Sequence, residues 1–278
     1  MEMDILLGRF PTQLERPETI KFASPIVLLP ELFTTRRHQA ILLGYLATIG
    51  WEVYAPDLRS VAGRDGTPEL GRWTFDQLTA IVGEALDALD RDAIVLGHGF
   101  GGLVALKMAE RPRVKAAVAL APLMPGVRTP LFMRAGNLPA RWMKRPLKPP
   151  DGRPLLYMLT DVEPFQREAL IKALVPDVCA AALEIVRGAV RFEAGNAAPR
   201  LVVAGASDPL VPTDSLAGFA AQIGAQFKSL PGQGHWLIGG RAVERAIGEA
   251  HRFLVRSLGQ ELLLLYPEEW RNDSEAGD

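Results

Sequence analysis

Cysteine is all but missing from this sequence: 278 residues contain one, Cys179. A lone thiol forms no internal disulfide, and no metal-ligand spacing surrounds it, which excludes a disulfide-stapled fold and a cysteine-based metal centre. An excess of either charge is missing as well. The net charge is −1, whereas a nucleic acid or an anionic membrane surface calls for a basic excess, so neither is expected as a partner. No apolar run reaches the length of a membrane span, about 20 residues. Met1–Arg9 carries acids and no long apolar stretch, unlike a secretory leader. These absences lead to the expectation of a cytoplasmic protein that acts on, or binds, a small molecule. No cofactor and no metal is expected.

What the sequence does have is a rhythm. Short apolar runs recur at Ile26–Leu29, Val53–Ala55, Ala93–Leu96, Ala116–Leu120 and Leu201–Ala204. Runs that do not alternate with polar residues are those of strands covered on both faces. Between them lie segments of helical pattern: Arg37–Ile49, Phe75–Leu89, Gly102–Glu110 and Ala242–Leu258. In the last, Val243, Ala246, Ile247, Ala250, Phe253, Leu254 and Leu258 follow the 3.6-residue period. Strand alternating with helix predicts an α/β fold with a mostly parallel sheet. The rhythm stops over residues 123–190, which are rich in proline at first and helical over Pro164–Leu174 and Val178–Val186. This stretch is expected to be a small, mainly helical cap inserted in a core of residues 1–122 and 191–278. The Leu262–Leu265 run is expected to pack on that core, with a partner surface, such as that of a homodimer, as the alternative.

The most informative segment is Ile94-Val-Leu-Gly-His-Gly-Phe-Gly-Gly102, where an apolar strand enters a glycine-rich turn and then a helix. Its Gly97-x-Gly99-x-x-Gly102 spacing fits a dinucleotide-binding fingerprint formally. It follows the third apolar run rather than the first, however, and no acid is placed to hold a ribose. The segment resembles instead the nucleophile elbow, Gly-x-Ser-x-Gly, of the α/β-hydrolase superfamily, with Gly99 where the serine would stand. Four further segments follow in the superfamily's order: Ile26–Pro30 before the oxyanion loop, Ala55-Pro-Asp-Leu-Arg59, Val203–Pro212 and Gly232-Gln-Gly-His-Trp236.

The resemblance implies that His235 is the base, that Asp208 orients it, and that the backbone N–H groups of Leu32 and Phe100 form the oxyanion hole. It implies loop-organising roles for Asp57 and Arg59. His98 is expected to face a helix or the sheet edge, His38 and His251 to be surface or packing residues, and Cys179 to be inert packing. Apolar residues of the expected cap (Leu131, Phe132, Met133, Trp142, Met143 and the Leu156-Tyr-Met158 run) point to a small, largely apolar substrate. Arg134, Arg141, Lys144 and Arg145 are read as a solvated face, an acidic substrate being the alternative.

Two catalytic parts depart from the pattern. Gly99 offers no nucleophile, and glycine enters the strained elbow conformation without a Cβ penalty. Where the superfamily commonly has His-Gly, this chain has Pro30-Glu31. A carboxylate beside the hole opposes a developing oxyanion unless it points outward, to solvent or to Arg36 or Arg37. Alternatively Glu31 acts with His235 as an acid/base group, across space left by the missing serine side chain. Three readings stay open. The first is an enzyme working by non-covalent general acid/base chemistry through His235 and Asp208, as a lyase, isomerase or hydrolase. The second is a carboxylic-ester hydrolase inactivated by a serine-to-glycine change. The third is an inactive binding or interaction protein.

Overall fold

A computed structural model describes residues 1–63, 68–127, 142–193 and 197–262. The apolar runs form the centre of an eight-stranded sheet in the order β1-β2-β4-β3-β5-β6-β7-β8. The strands are β1 (Glu2–Leu7), β2 (Phe10–Glu15), β3 (Ile26–Leu29), β4 (Val53–Pro56), β5 (Ala93–His98), β6 (Val114–Leu120), β7 (Arg200–Gly205) and β8 (Gln226–Leu230). From β4 to β8 every pairing is parallel. β3, β4, β5 and β7 are buried along their whole length, as covering on both faces requires.

Nine α-helices are described: α1 (Arg36–Thr48), α2 (Pro68–Arg72), α3 (Phe75–Leu89), α4 (Gly99–Met108), α5 (Gly152–Met158), α6 (Pro164–Lys172), α7 (Ala180–Val186), α8 (Thr213–Gln222) and α9 (Gly240–Leu258). α1 packs with α9, and α3 packs with α4 and α7. The α9 stripe is buried from Val243 to Leu254, as its period predicts. Among the described residues, no helix is long and apolar enough to cross a membrane.

Three strands, β1, β2 and β8, have no counterpart in the apolar runs. β1 and β2 form an antiparallel hairpin on the edge of the sheet, turned by Gly8-Arg9 with Gly8 at φ +58°. β1 alternates exposed with half-buried residues, because an edge strand is covered on one face only, so it never makes a continuous apolar run. Leu262 is buried in the core, and its carbonyl accepts from the Ala23 N–H at 2.9 Å. Leu263–Leu265 lie outside the described residues, and so do Leu131, Phe132, Met133, Arg134 and Arg141.

Asp177, just before α7, is tied into the loop after β3. Its Oδ2 accepts from the Phe33 N–H at 2.8 Å and from Arg59 at 2.9 Å, and its Oδ1 accepts from the Val178 N–H at 2.8 Å. Phe33 has a left-handed backbone (φ +66°), a conformation that a bulky residue keeps only when its surroundings hold it. Asp177→Ala leaves two buried N–H groups and a guanidinium without their acceptor. A loss of about 2–4 kcal/mol in urea unfolding is expected, with Arg59→Ala costing less because the backbone donors keep their carboxylate.

Candidate active site

Four chain segments meet at the carboxyl edge of the sheet, where sites in open parallel sheets form. The loop after β3 delivers Glu31, the turn from β5 into α4 delivers Gly99, the loop after β7 delivers Asp208 and the loop after β8 delivers His235. His235 Nδ1 lies 2.8 Å from Asp208 Oδ2, and both side chains are fully buried. The other Asp208 oxygen accepts from the N–H groups of Leu210 (2.7 Å) and Val211 (3.3 Å), which fixes the carboxylate. Two residues absent from the sequence reading hold the histidine loop: Thr160 Oγ1 accepts from the His235 N–H at 3.1 Å, and Asp161 accepts from the Gly234 N–H at 2.7 Å. No periodicity marks them, since they belong to the turn between α5 and α6.

The elbow is as tight as its glycines suggest. A Cβ on Gly97 would stand 2.1 Å from the Gly101 carbonyl oxygen, so only glycine lets β5 and α4 approach this closely. Gly99 opens α4 with φ +53°.

Glu31 corrects the sequence reading. It faces neither solvent nor Arg36 and Arg37: its side chain is fully buried, and Arg36 pairs with Asp4 instead. Glu31 Oε1 accepts from the Leu32 N–H at 2.6 Å and the Phe100 N–H at 3.0 Å. The two donors expected for the oxyanion hole do converge, but on the protein's own carboxylate. Glu31 Oε2 lies 3.2 Å from His235 Nε2. A Cβ on Gly99 would stand 1.1 Å from that same oxygen. The space expected between Glu31 and His235 is therefore filled by Glu31 itself. The physical reason is the supply of donors, two backbone N–H groups and one imidazole, aimed at a point that no side chain on residue 99 occupies.

His98 is the second correction. It faces the site, not a helix or the sheet edge. It is fully buried, its ring centroid is 4.9 Å from that of His235, and its Nδ1 is 4.0 Å from Glu31 Oε2. Its Nε2 donates to the His235 carbonyl oxygen at 2.8 Å, while Nδ1 has no hydrogen-bond partner. Its place beside the elbow residue was the one available sequence signal. His38 is buried, with the Thr35 N–H donating to its Nδ1 at 2.9 Å, and His251 packs edge-on to Phe22.

The cluster is strongly polarised. Burial by itself would lower the His235 pKa, but the Asp208 and Glu31 carboxylates outweigh it and raise the value to about 10. Burial would likewise raise Asp208, but the His235 imidazolium and the Leu210 and Val211 N–H groups bring it below the ordinary value. Burial and the neighbouring His235 charge push His98 down to about 4, against the pull of Glu31, so this ring is neutral. Two histidines 4.9 Å apart are thus shifted in opposite directions.

A cleft of about 960 Å³ has Glu31, Phe100 and Gly101 in its wall, while His235, Asp208 and His98 lie fully buried behind them. Leu70, Trp73 and Val104 add apolar surface, and Arg36, Arg37, Arg59 and Lys172 place cations around it. Asp57 is part of the same wall. Trp142 and Met143, expected to line a pocket, are exposed, whereas Met158 is in the core.

Solved structures share this architecture. The chain superposes on the monoacylglycerol lipase of Paleococcus ferrophilus with a TM-score of 0.63 and 18% identity, covering 90% of this chain and 100% of that one. For a soluble variant of the Saccharomyces cerevisiae monoglyceride lipase the TM-score is 0.67 at 13% identity, covering 92% and 94%. Among curated sequences, epoxide hydrolase 3 of Siraitia grosvenorii is 35% identical over 103 residues, which are 34% of this chain and 32% of that protein. The match thus spans about a third of that relative's length. The profile of the alpha/beta hydrolase family matches residues 29–246, from the end of β3 to the middle of α9. That span takes in the oxyanion loop, the elbow and the loops of Asp208 and His235, and on it this chain belongs to the alpha/beta hydrolase family.

Proposed function

We propose that this chain is a hydrolase that works without a covalent serine step, using Glu31, His235 and Asp208 as an acid/base relay on a small, largely apolar substrate. The observation that carries the reading is the 3.2 Å contact between Glu31 Oε2 and His235 Nε2, with Glu31 Oε1 anchored by two backbone donors. A carboxylate and an imidazolium held at hydrogen-bond distance are a base and an acid fixed side by side. Asp208 keeps the imidazole oriented and stabilises its protonated form.

In hydrolysis, Glu31 takes a proton from water as the water oxygen bonds to the electrophilic carbon. His235 gives its proton to the departing oxygen. The proton on Glu31 then returns to His235 across their contact, and the relay is restored. Epoxides and simple esters both suit this chemistry, because each needs a proton on a leaving oxygen and an activated water at carbon. The partial likeness to proteins named epoxide hydrolases supports putting epoxides among the test substrates. The apolar surface of Leu70, Trp73 and Val104 in the cleft supports a substrate with a largely apolar body.

The inactivated-serine-hydrolase reading has less support, since Glu31 fills the place that a serine would need. The binding-protein reading is favoured by one observation, the full burial of Glu31 and His235. The discriminating experiment is a panel of small epoxides and esters, assayed with a chelator present. Glu31→Gln and His235→Ala are each expected to lower turnover by about 10²- to 10⁴-fold. A wild-type protein without turnover across the panel would leave the binding reading, and an unchanged rate and pH profile in Glu31→Gln would remove Glu31 from the relay.

A further inference from the structure

We propose that Glu31, His98 and His235 form a binding site for a divalent transition-metal ion. This inference stands on geometry and does not depend on the acid/base reading above. Glu31 Oε2, His98 Nδ1 and His235 Nε2 all lie within 4.8 Å of one another. Oε2 is 3.2 Å from the His235 nitrogen and 4.0 Å from the His98 nitrogen. Ligands about 2.0–2.1 Å from a tetrahedral ion stand about 3.3 Å apart, so side-chain movement on the order of 1 Å closes the set around one ion.

The far end of every ligand is already committed. Glu31 Oε1 is held by the Leu32 and Phe100 N–H groups, His235 Nδ1 by Asp208, and His98 Nε2 by the His235 carbonyl oxygen. Metal-binding imidazoles show this arrangement: the remote ring N–H donates to a carboxylate or a backbone carbonyl, which fixes the tautomer and aims the other lone pair at the ion. A carbonyl oxygen can only accept, so the proton of the His98 ring is on Nε2 and its Nδ1 presents a lone pair. That atom is fully buried and has no hydrogen-bond partner. More than nine in ten buried polar groups are partnered, so an orphan of this kind calls for an explanation. It faces a carboxylate oxygen across 4.0 Å. Two acceptors pointed at each other repel, and a cation between them turns the repulsion into two bonds.

The donor set selects the ion. Two imidazoles and one carboxylate suit Zn²⁺, Fe²⁺ and their neighbours, whereas Ca²⁺ and Mg²⁺ prefer oxygen ligands throughout. A dication takes the place of the His235 proton between Nε2 and Glu31 Oε2 and balances the two buried carboxylates, Glu31 and Asp208. Three protein ligands leave a fourth position open, as in catalytic rather than structural zinc sites. At that position an ion would polarise a substrate oxygen or activate a bound water.

The test uses the full chain, freed of any affinity tag and stripped with a chelator, titrated calorimetrically with Zn²⁺ alone and by visible absorption with Co²⁺ alone. The expected result is one equivalent of Zn²⁺ and a Co²⁺ spectrum of low coordination number. Glu31→Gln and His98→Gln are expected to weaken Zn²⁺ binding at least 100-fold. Asp208→Asn, which touches no ion, is expected to weaken it by about 10- to 100-fold. Less than one equivalent bound by the wild type, or unchanged affinity in the ligand variants, overturns the site. If a variant does not fold, X-ray absorption on the Zn²⁺-loaded wild type decides: two imidazoles in the shell support the assignment, and fewer overturn it. Binding is read here without activity, and the relay is assayed under chelator, so either can fail while the other stands.

Discussion

Gly99→Ser is expected to destabilise the protein by about 2–5 kcal/mol and to leave it without serine-hydrolase activity. In most settings, a serine placed at such a turn beside a histidine would supply a nucleophile. Here the new Cβ would stand 1.1 Å from Glu31 Oε2 and 2.1 Å from its Cδ, on a backbone at φ +53° that disfavours any side chain. To admit it, Glu31 must leave the hole and give up two backbone N–H bonds and its contact with His235. A buried carboxylate stripped of those donors has no comparable place to go. The double variant Gly99→Ser/Glu31→Gly removes the obstruction, empties the hole and sets a hydroxyl beside His235. It is expected to react with serine-directed phosphonates and to hydrolyse simple esters weakly, while Gly99→Ser alone and the wild type do neither. Unfolding in urea and phosphonate labelling of the three proteins check this. Strong labelling of the single variant would mean that Glu31 swings out at little cost, and that its hold on the hole is loose.

Stability is expected to peak near pH 6.5 and to fall on both sides, for reasons located in the same cluster. The folded-state pKa of His235, about 10, lies above its ordinary 6.5. Its bound proton therefore stabilises the fold fully below pH 6.5, and that contribution drains away as pH rises towards 10. His98 moves the other way, from 6.5 to about 4. Below pH 6.5 the unfolded chain takes up a proton that the buried ring refuses, so stability falls until pH 4 is reached. Asp208, held below the ordinary carboxylate value, adds to the acid limb as it is protonated. A single proton contributes at most about 1.4 kcal/mol per pH unit. Urea midpoints between pH 4 and 10 read both limbs. His235→Ala is expected to cost about 3–5 kcal/mol near neutrality, because it leaves Glu31 and Asp208 facing an empty space without their shared cation. It should also flatten the alkaline limb. A wild-type profile flat from pH 6.5 to 10 would contradict the protonated state of His235.

The parallel core from β4 to β7 was legible because its strands are buried on both faces, which writes them as unbroken apolar runs; Ile26–Leu29 is a strand over the very residues of its run. The β1–β2 hairpin was not, because an edge strand half in water shows only weak alternation. Of the site, the motifs were enough to pick out the glycine at the strand-to-helix turn, the loops that carry Asp208 and His235, and the Leu32 and Phe100 N–H groups that converge on one point. The packing of distant segments, which no local pattern records, brings those two N–H groups onto Glu31, sets Glu31 where a side chain on residue 99 would stand, and turns His98 inward. The reason is physical. A strand's residues are committed by local burial, which a local pattern records. The direction of a buried polar side chain is committed by whichever donors surround it, and for Glu31 these come from the N–H groups of Leu32 and Phe100 and the imidazole of His235, the last of them 204 residues away along the chain.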